Sequence, residues 1–117
     1  MRLLAALIAG CLALPAVAQT FPSRPVRIIV PSTPGGAADL LARMLAQPMA
    51  AGLGQAVVVD NRPGAGNLIG TDVVAKAAPD GHTLLLAINN HAINASLYKK
   101  LPYDPVKDFA AVSLLVS

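Results

Sequence analysis

Cysteine, aromatic residues and charge are all scarce in this 117-residue chain. A single cysteine excludes a disulfide framework within the chain and a cysteine-based zinc cluster. Aromatic residues make up 3% of the chain and its basic residues are scattered, so the stacking platforms and basic stripes of nucleic-acid binders are missing. Charged residues amount to 13% against 55% hydrophobic residues, which excludes a disordered, charge-rich chain.

The first eighteen residues are organised like a secretory signal peptide. Arg2 supplies a positive start, residues 3–14 are apolar apart from Gly10, and small residues precede a predicted cleavage site after Ala18. A membrane-spanning helix needs roughly 20 apolar residues, so this run favours a cleaved leader over an anchor. Residues 8–11 also resemble a lipobox in which Cys11 would be lipidated, but the apolar run before them is very short for that.

Cleavage would leave residues 19–117 as a cysteine-free, exported chain, and the predicted location is the periplasm. Arg2 is removed with the leader, so the cleaved chain would contain eight Lys plus Arg and six Asp plus Glu. This small positive balance says little about partners. Removal of the leader also removes much of the apolar excess of the full sequence. The remaining residues 19–117 are enough for a modest hydrophobic core.

Apolar strands alternate with helices along residues 19–117. Four strands are predicted, at residues 26–30, 56–60, 83–87 and 111–116, and three helices, at residues 37–51, 68–78 and 92–97. Near-continuous apolar strands are typical of a parallel sheet with both faces covered by helices, joined by right-handed crossovers. The fold class predicted from this pattern is therefore α/β.

The first predicted helix contains two features that bear on its packing. Leucines and methionines recur at helical spacing and predict one apolar face, at Leu40, Leu41, Met44, Leu45 and Met49. Pro48 is predicted to kink the helix or end its regular hydrogen bonding, because proline has no amide hydrogen.

Three segments directly follow strands and are candidates for a ligand site, because ligands of open parallel sheets bind outside the carboxyl ends of the strands. Glycine lets backbone amides approach a ligand, and a helix N-terminus exposes free N–H groups. Together these features predict a site for an anion, especially a carboxylate or a phosphate. The candidate ligand-binding residues are Ser32, Thr33, Pro34, Gly35, Gly36, Ala37, Ala38, Gly64, Ala65, Gly66, Asn67, Asn89, Asn90 and His91.

Enzyme and metal motifs are mostly missing. The glycines at 64, 66 and 70 miss the dinucleotide-binding spacing by one residue, and no phosphate-binding P-loop or G-x-S-x-G elbow occurs. His82 and His91 have no metal-ligand spacing with carboxylates. We therefore predict no enzymatic activity, no catalytic residue, no metal and no cofactor. Asp39 is interpreted as a helix N-terminal residue and His82 as a turn residue.

Four blocks of the sequence, in order, resemble the Bug family, the extracytoplasmic solute receptors of tripartite tricarboxylate transporters. The blocks are PSRPVRIIVP with PGGAAD at residues 22–39, LGQAVVVDNRPGAG at 53–66, AKAAPDGHTLL at 75–85, and YKKLPYDPVKDF at 98–109. Each glycine-rich block alone is a weak signal. Their combination covers nearly all of residues 19–117.

The resemblance implies a type II periplasmic-binding-protein-like fold, in which two lobes close on a small carboxylate. Residues 19–117 would be the N-terminal part of the first lobe, incomplete and without the second lobe. Carboxylate binding by backbone amides and bridging waters is implied at Ser32 to Ala38, Gly64 to Asn67 and Asn89 to His91. The partners implied are the ligand and the membrane subunits of the transporter, which receive the solute.

The chain departs from the family pattern at two places, and two other functions remain open. Ser32 and Thr33 stand where the family commonly has an aromatic residue, which leaves the identity of the carboxylate undetermined, and Pro48 stands inside the first helix. One alternative is an exported nucleotide-binding enzyme fragment that uses the glycine-rich loops for a phosphate. The other is an inactive truncated product.

Overall fold

The computed structural model describes residues 18–116. Residues 1–17, which include Cys11 and all but the last residue of the predicted leader (1–18), lie outside the described residues, so cleavage and lipidation stay predictions. Within the described part, no helix is both long enough and apolar enough to span a bilayer.

Three parallel strands form the sheet, and the strand that comes first in the chain lies in the middle. β1 (Val26–Val30) is flanked by β2 (Val57–Asn61) and by β3 (Thr83–Leu85), which gives the order β2-β1-β3. Val26 pairs with Val57, and Arg27 pairs with Thr83. Because β1 has a neighbour on each side, it is the most buried strand, and Ile29 and Val30 are fully buried. This confirms the predicted α/β class with a parallel sheet.

Helix α1 (Ala37–Leu53) connects β1 to β2 and packs against both strands. It ends at Gly54, whose φ of 67° is the left-handed conformation that glycine adopts readily, and the Gly54 amide donates to the Ala50 carbonyl. Pro48 does not end the helix, so that part of the prediction is wrong. Pro48 and Met44 both lie on the exposed side, where water can solvate the Met44 carbonyl that lacks a helical donor.

The face that α1 buries differs from the predicted one. Ala42 and Ala46 are buried, whereas Leu40 and Met44 are 57% and 73% exposed. The small Ala42 side chain packs with Ile28, Val30 and Leu86 in the main core cluster. The predicted leucine and methionine stripe is therefore wrong at Leu40 and Met44, although Leu41 and Met49 do pack on the core.

The later elements have different limits from those predicted. A 3₁₀ turn (Ala65–Asn67) leads into α2 (Leu68–Ala75), and α3 (Asn90–Leu97) begins two residues before its predicted start. Helix α2 packs against β1 and β3. Residues 111–116 are exposed and form no strand, which corrects the predicted fourth strand. Their apolar composition is suited to a strand, but no described strand lies beside them to supply ladder hydrogen bonds.

A polar cluster ties the segment before β1 to the turn before β3. Asp80 accepts 2.7 Å and 3.1 Å hydrogen bonds from the Arg24 guanidinium and the His82 amide. The His82 ring is buried, with Nδ1 3.3 Å from Asp80 Oδ1, and its edge packs on Phe21. His82 therefore closes a turn, as interpreted, and this cluster lies at the edge of the sheet where the strands begin.

Candidate functional site

The carboxyl ends of β1, β2 and β3 lie along one edge of the sheet, because all three strands are parallel. The segments that follow β1 and β2 are joined directly. The Arg62 amide donates a 2.8 Å hydrogen bond to the Val30 carbonyl, and Asn61 Nδ2 donates a 3.2 Å hydrogen bond to the Ser32 carbonyl. The two predicted ligand-binding loops are therefore adjacent.

The first loop, residues 31–36, leads into the N-terminus of α1. Gly35 has a φ of 87°, and Gly36 precedes the helix in an extended conformation without a side-chain cap. The first backbone hydrogen bond of the helix runs from the Leu40 amide to the Gly36 carbonyl. In the described part of the chain, the amides of Ala37 and Ala38 therefore have no acceptor, as is usual for the first turn of an uncapped helix.

Side chains contribute little to the surface of this first loop. Thr33, Pro34, Gly35, Gly36 and Ala37 are exposed. Ser32 is half-buried, and its Oγ has no hydrogen-bond partner among residues 18–116. The loop therefore presents mainly backbone amides to solvent.

The second loop contains four consecutive residues with positive φ. The angles are 128° at Gly64, 48° at Ala65, 62° at Gly66 and 74° at Asn67. Two of these residues carry a Cβ atom, and left-handed conformations of such residues are held only when their surroundings enforce them. The whole predicted group is brought to the carboxyl edge, with residues 64–66 exposed.

Gly70 allows α2 to approach this edge closely. A Cβ atom at Gly70 would lie 2.7 Å from the Arg62 carbonyl oxygen and 2.8 Å from Pro31 Cα. Both neighbours belong to the backbone that follows the strands. A larger residue would therefore push α2 away from the two ligand-binding loops.

The third predicted group belongs to a helix more than to a loop. Asn90 and His91 are in the first turn of α3, and Asn89 precedes it without capping it by its side chain. His91 Nε2 bonds to the Pro105 carbonyl at 2.9 Å, and its ring stacks on Tyr103 at 6.3 Å. The ring of Phe109 meets His91 edge-on at 5.0 Å. His91 therefore fastens residues 103–109 to α3, and a ligand contact there stays a prediction.

Two buried polar side chains without an assigned role in the sequence analysis support the second loop. Asn94 Nδ2 donates a 2.8 Å hydrogen bond to the Gly66 carbonyl, and Thr71 Oγ1 donates a 2.8 Å hydrogen bond to the Asn67 carbonyl. These residues are 4% and 2% exposed. A signal was present in the sequence, since an asparagine on the inward side of a short helix needs a hydrogen-bond partner.

Arginines neutralise the two carboxylates near this edge. The Arg43 side chain, followed by the Gly35 amide, holds the pKa of Asp39 below its usual value. Arg62 and Arg27 both bond to the half-buried Asp60 carboxylate and likewise lower its pKa. Asp39 thus has the structural role interpreted from the sequence. Because both carboxylates are paired, they repel an approaching anion less than free carboxylates would.

An open groove of about 520 Å³ lies elsewhere, beyond the C-terminal end of α3. None of the predicted ligand-binding residues lines it. Its lining residues are Ala95, Tyr98, Lys99, Leu101, Pro102, Tyr103, Asp104, Pro105 and Asp108. The predicted residues instead form an exposed surface at the carboxyl edge of the sheet.

Comparison with known proteins assigns the family. The sequence profile described as "Tripartite tricarboxylate transporter family receptor" matches residues 41–117. The chain belongs to this receptor family. The resemblance to Bug proteins is confirmed by BugT of Bordetella pertussis, which is 47% identical over 106 residues, 89% of this chain and 32% of BugT. The chain thus spans about a third of the length of the curated relatives it matches.

Similar solved structures have the same fold. The periplasmic binding protein BugD is 46% identical and superposes with a TM-score of 0.72, over 76% of this chain and 30% of BugD. MatC from Rhodopseudomonas palustris, solved with bound malate, is 43% identical with a TM-score of 0.71, over 76% of this chain and 31% of MatC. The periplasmic-binding-protein-like fold is therefore confirmed.

Proposed function

We propose that residues 19–117 form one wall of a carboxylate-binding cleft in an exported solute receptor. The observation that carries this proposal is the convergence of uncapped helix N-termini and glycine-rich loops at one edge of the sheet. The amides of Ala37 and Ala38 and those of the second loop offer hydrogen-bond donors there. Backbone donors at helix N-termini suit a carboxylate, since they combine N–H groups with the positive end of the helix dipole.

The mechanism is binding and delivery, without catalysis or a metal. The ligand carboxylate accepts hydrogen bonds from the amides of the first and second loops, directly or through water. The bound receptor then closes and is recognised by the membrane subunits of a tripartite transporter, in the periplasm. Membership of the receptor family supports this sequence of events, and the malate bound to MatC supports a small dicarboxylate as the ligand class.

A one-sided surface predicts weak binding by these residues alone. The loop residues are exposed, so water competes for every amide, and a small ligand held on one side keeps most of its hydration. We expect malate affinity in the millimolar range for residues 19–117. Isothermal titration that gave micromolar affinity would contradict the requirement for an opposing wall.

Residue-resolved amide shifts of ¹⁵N-labelled residues 19–117 test the site itself. Malate is expected to shift the amide signals of Ala37, Ala38, Ala65 and Gly66, whereas the uncharged diamide of malate leaves them in place. A nucleotide that shifted these signals when malate did not would favour the phosphate-binding alternative. Malate shifts confined to the open groove beyond α3 would overturn the proposed site.

A proline substitution removes one donor without disturbing the helix. Ala37 is the first residue of α1, where proline is tolerated, and Gly36 before it already has the extended conformation that precedes proline. Ala37→Pro should weaken malate binding by roughly five-fold, since a hydrogen bond to a charged group contributes about 1.5–3 kcal/mol at most sites and less at an exposed one. Ala37→Gly keeps the amide and is the matched control.

A further inference from the structure

Four consecutive carbonyl groups of the second loop all accept hydrogen bonds from the protein. The Gly64 carbonyl accepts a 3.0 Å hydrogen bond from the Asn67 amide, and the Ala65 carbonyl accepts one from the Leu68 amide. The next two carbonyls, of Gly66 and Asn67, accept hydrogen bonds from side chains of α3 and α2. We call residues 64–67 the amide loop.

The amides of this loop face the opposite way from its carbonyls. In a planar trans peptide, the C=O and N–H groups lie on opposite sides. The Gly64 and Ala65 carbonyls bond within the turn, so the Ala65 and Gly66 amides point away from those bonds, and both residues are exposed. Neither amide has an acceptor among residues 18–116. Successive outward amides in left-handed backbone form a concave site for an anion.

Asn94 and Thr71 enforce this arrangement from the protein interior. Each is nearly fully buried and donates a 2.8 Å hydrogen bond to one carbonyl of the amide loop. Asn94 reaches the loop from α3, whereas the Thr71 hydroxyl bonds to the carbonyl four residues before it, at the start of its own helix. Ala65 and Asn67 adopt strained φ angles, and such angles relax when the surrounding contacts are removed.

We infer that Asn94 and Thr71 are positioning residues, which hold the Ala65 and Gly66 amides toward the ligand carboxylate without touching it. This inference rests on the proposed function for the ligand. The geometry of the loop is independent of any ligand and can be measured without one. Two measurements therefore separate the positioning role from the binding function.

The first measurement is made on ligand-free chain. Backbone ¹³C shifts of Ala65 and Asn67 report whether their φ angles are positive. Asn94→Ala and Thr71→Val each remove one hydrogen bond, and we expect both to move these two residues toward ordinary φ values. Thr71→Ser keeps the hydroxyl and should leave the shifts unchanged. Ser96→Ala is the control on α3, since Ser96 lies two residues beyond Asn94 and is exposed on another face of the helix.

The second measurement is malate titration of the same variants. Asn94→Ala should raise the Kd for malate about 10-fold, the loss expected when hydrogen bonds to a charged group are misplaced. At saturation, the malate-induced shifts of Ala65 and Gly66 should shrink while those of Ala37 and Ala38 persist. A merely destabilised chain would lose both sets together, so the split identifies positioning.

Each outcome decides one of the two claims. If the carbon shifts of Ala65 and Asn67 are unchanged in both Asn94→Ala and Thr71→Val, the positioning role is overturned, whatever malate does. If the loop relaxes and the malate response splits as described, the role is supported. If the wild-type chain shows no malate response, the proposed function fails. The ligand-free shifts then still decide whether Asn94 and Thr71 hold the loop.

Discussion

The amide nitrogen of Gly35 donates a 2.9 Å hydrogen bond to Oδ2 of Asp39, the third residue of α1. Asp39 is 3% exposed and also accepts a hydrogen bond from the Arg43 side chain at 3.1 Å. The Asp39 carboxylate therefore fixes the loop that follows β1 to the first turn of α1. The carboxylate bonds to Gly35, and within residues 18–116 no acceptor is found for the amides of Ala37 and Ala38.

Replacing Asp39 should loosen this loop more than replacing its arginine partner does. Asp39→Ala removes both hydrogen bonds, so we expect a lower free energy of unfolding and faster hydrogen exchange at the Gly35 amide. Arg43→Ala removes only the exposed ion pair, and such pairs contribute little to stability. Urea denaturation and amide exchange measure the two effects. Equal exchange at Gly35 in both variants would show that the carboxylate does not hold the loop.

Gly70→Ala should destabilise the protein by about 1–3 kcal/mol, because its Cβ atom would overlap backbone atoms of Arg62 and Pro31 that cannot move aside freely. Gly52→Ala is the matched control in α1. A Cβ atom at Gly52 meets nothing within 4 Å, so this change should stabilise the helix by about 0.5–1 kcal/mol. Thermal or urea unfolding gives both values. A neutral Gly70→Ala would mean that α2 can shift outward without penalty.

Pro48→Ala should raise stability by about 1–3 kcal/mol. Pro48 lies inside α1 and has no amide to donate to the Met44 carbonyl, and its replacement restores a helical hydrogen bond at an exposed position. The melting temperature of the variant reports the change. Gln47→Ala, at the exposed neighbouring position, should alter the melting temperature far less. A lower melting temperature for Pro48→Ala would indicate that the proline ring makes a packing contact.

Acid should remove the stabilisation that Asp80 provides. The His82 amide, followed by the Arg24 guanidinium, lowers the pKa of Asp80 from 3.8 to about 2. Because the folded-state pKa is lowered, the contribution is fully present above the unfolded pKa and is lost as the pH falls through the folded one. The difference in stability between wild type and Asp80→Asn should therefore shrink between about pH 4 and pH 2.

Arg24→Gln provides the comparison for this pH dependence. It removes the second cause of the lowered pKa and leaves the hydrogen bond from the His82 amide in place. The free energy of unfolding of Arg24→Gln should therefore keep part of the pH dependence that Asp80→Asn loses. A difference in the free energy of unfolding between wild type and Asp80→Asn that stayed constant across this pH range would contradict the assignment.

The sequence predicted the sheet well because its strands carry strong local signals. The limits of β1 were predicted correctly, since residues 26–30 are β-branched and apolar between two prolines. Residues 111–116 have a similar composition but no strand neighbour among the described residues, and composition cannot supply one. The buried face of α1 is formed by small residues and not by Leu40 and Met44, so the spacing of its large apolar residues does not predict it. Close contact with the sheet at Ala42 and Ala46 depends on side-chain size.

The candidate site was predictable as a set of loops but only partly as a set of contacts. The positions of residues 32–38 and 64–67 follow from the rule that parallel strands end at one edge. His91 was expected in a loop because polar residues follow β3, yet its ring is held by Tyr103 and Pro105, which are distant in sequence. An asparagine on the inward side of α3 signals that Asn94 needs a hydrogen-bond partner, but the identity of that partner, the Gly66 carbonyl, depends on how α3 packs and cannot be predicted from local sequence.

Because the amide-loop carbonyls are all hydrogen-bonded to the protein, the main-chain amides supply the donors to the ligand, while the side chains only shape the surface around it. Main-chain donors are common to every residue type except proline, so exchange of the Ala65 side chain would alter the contour around the ligand and leave the donors in place. Backbone amides also do not titrate, and their donor strength is constant across the ordinary range of acidity. Affinity at such a surface should then follow the ionisation of the ligand alone.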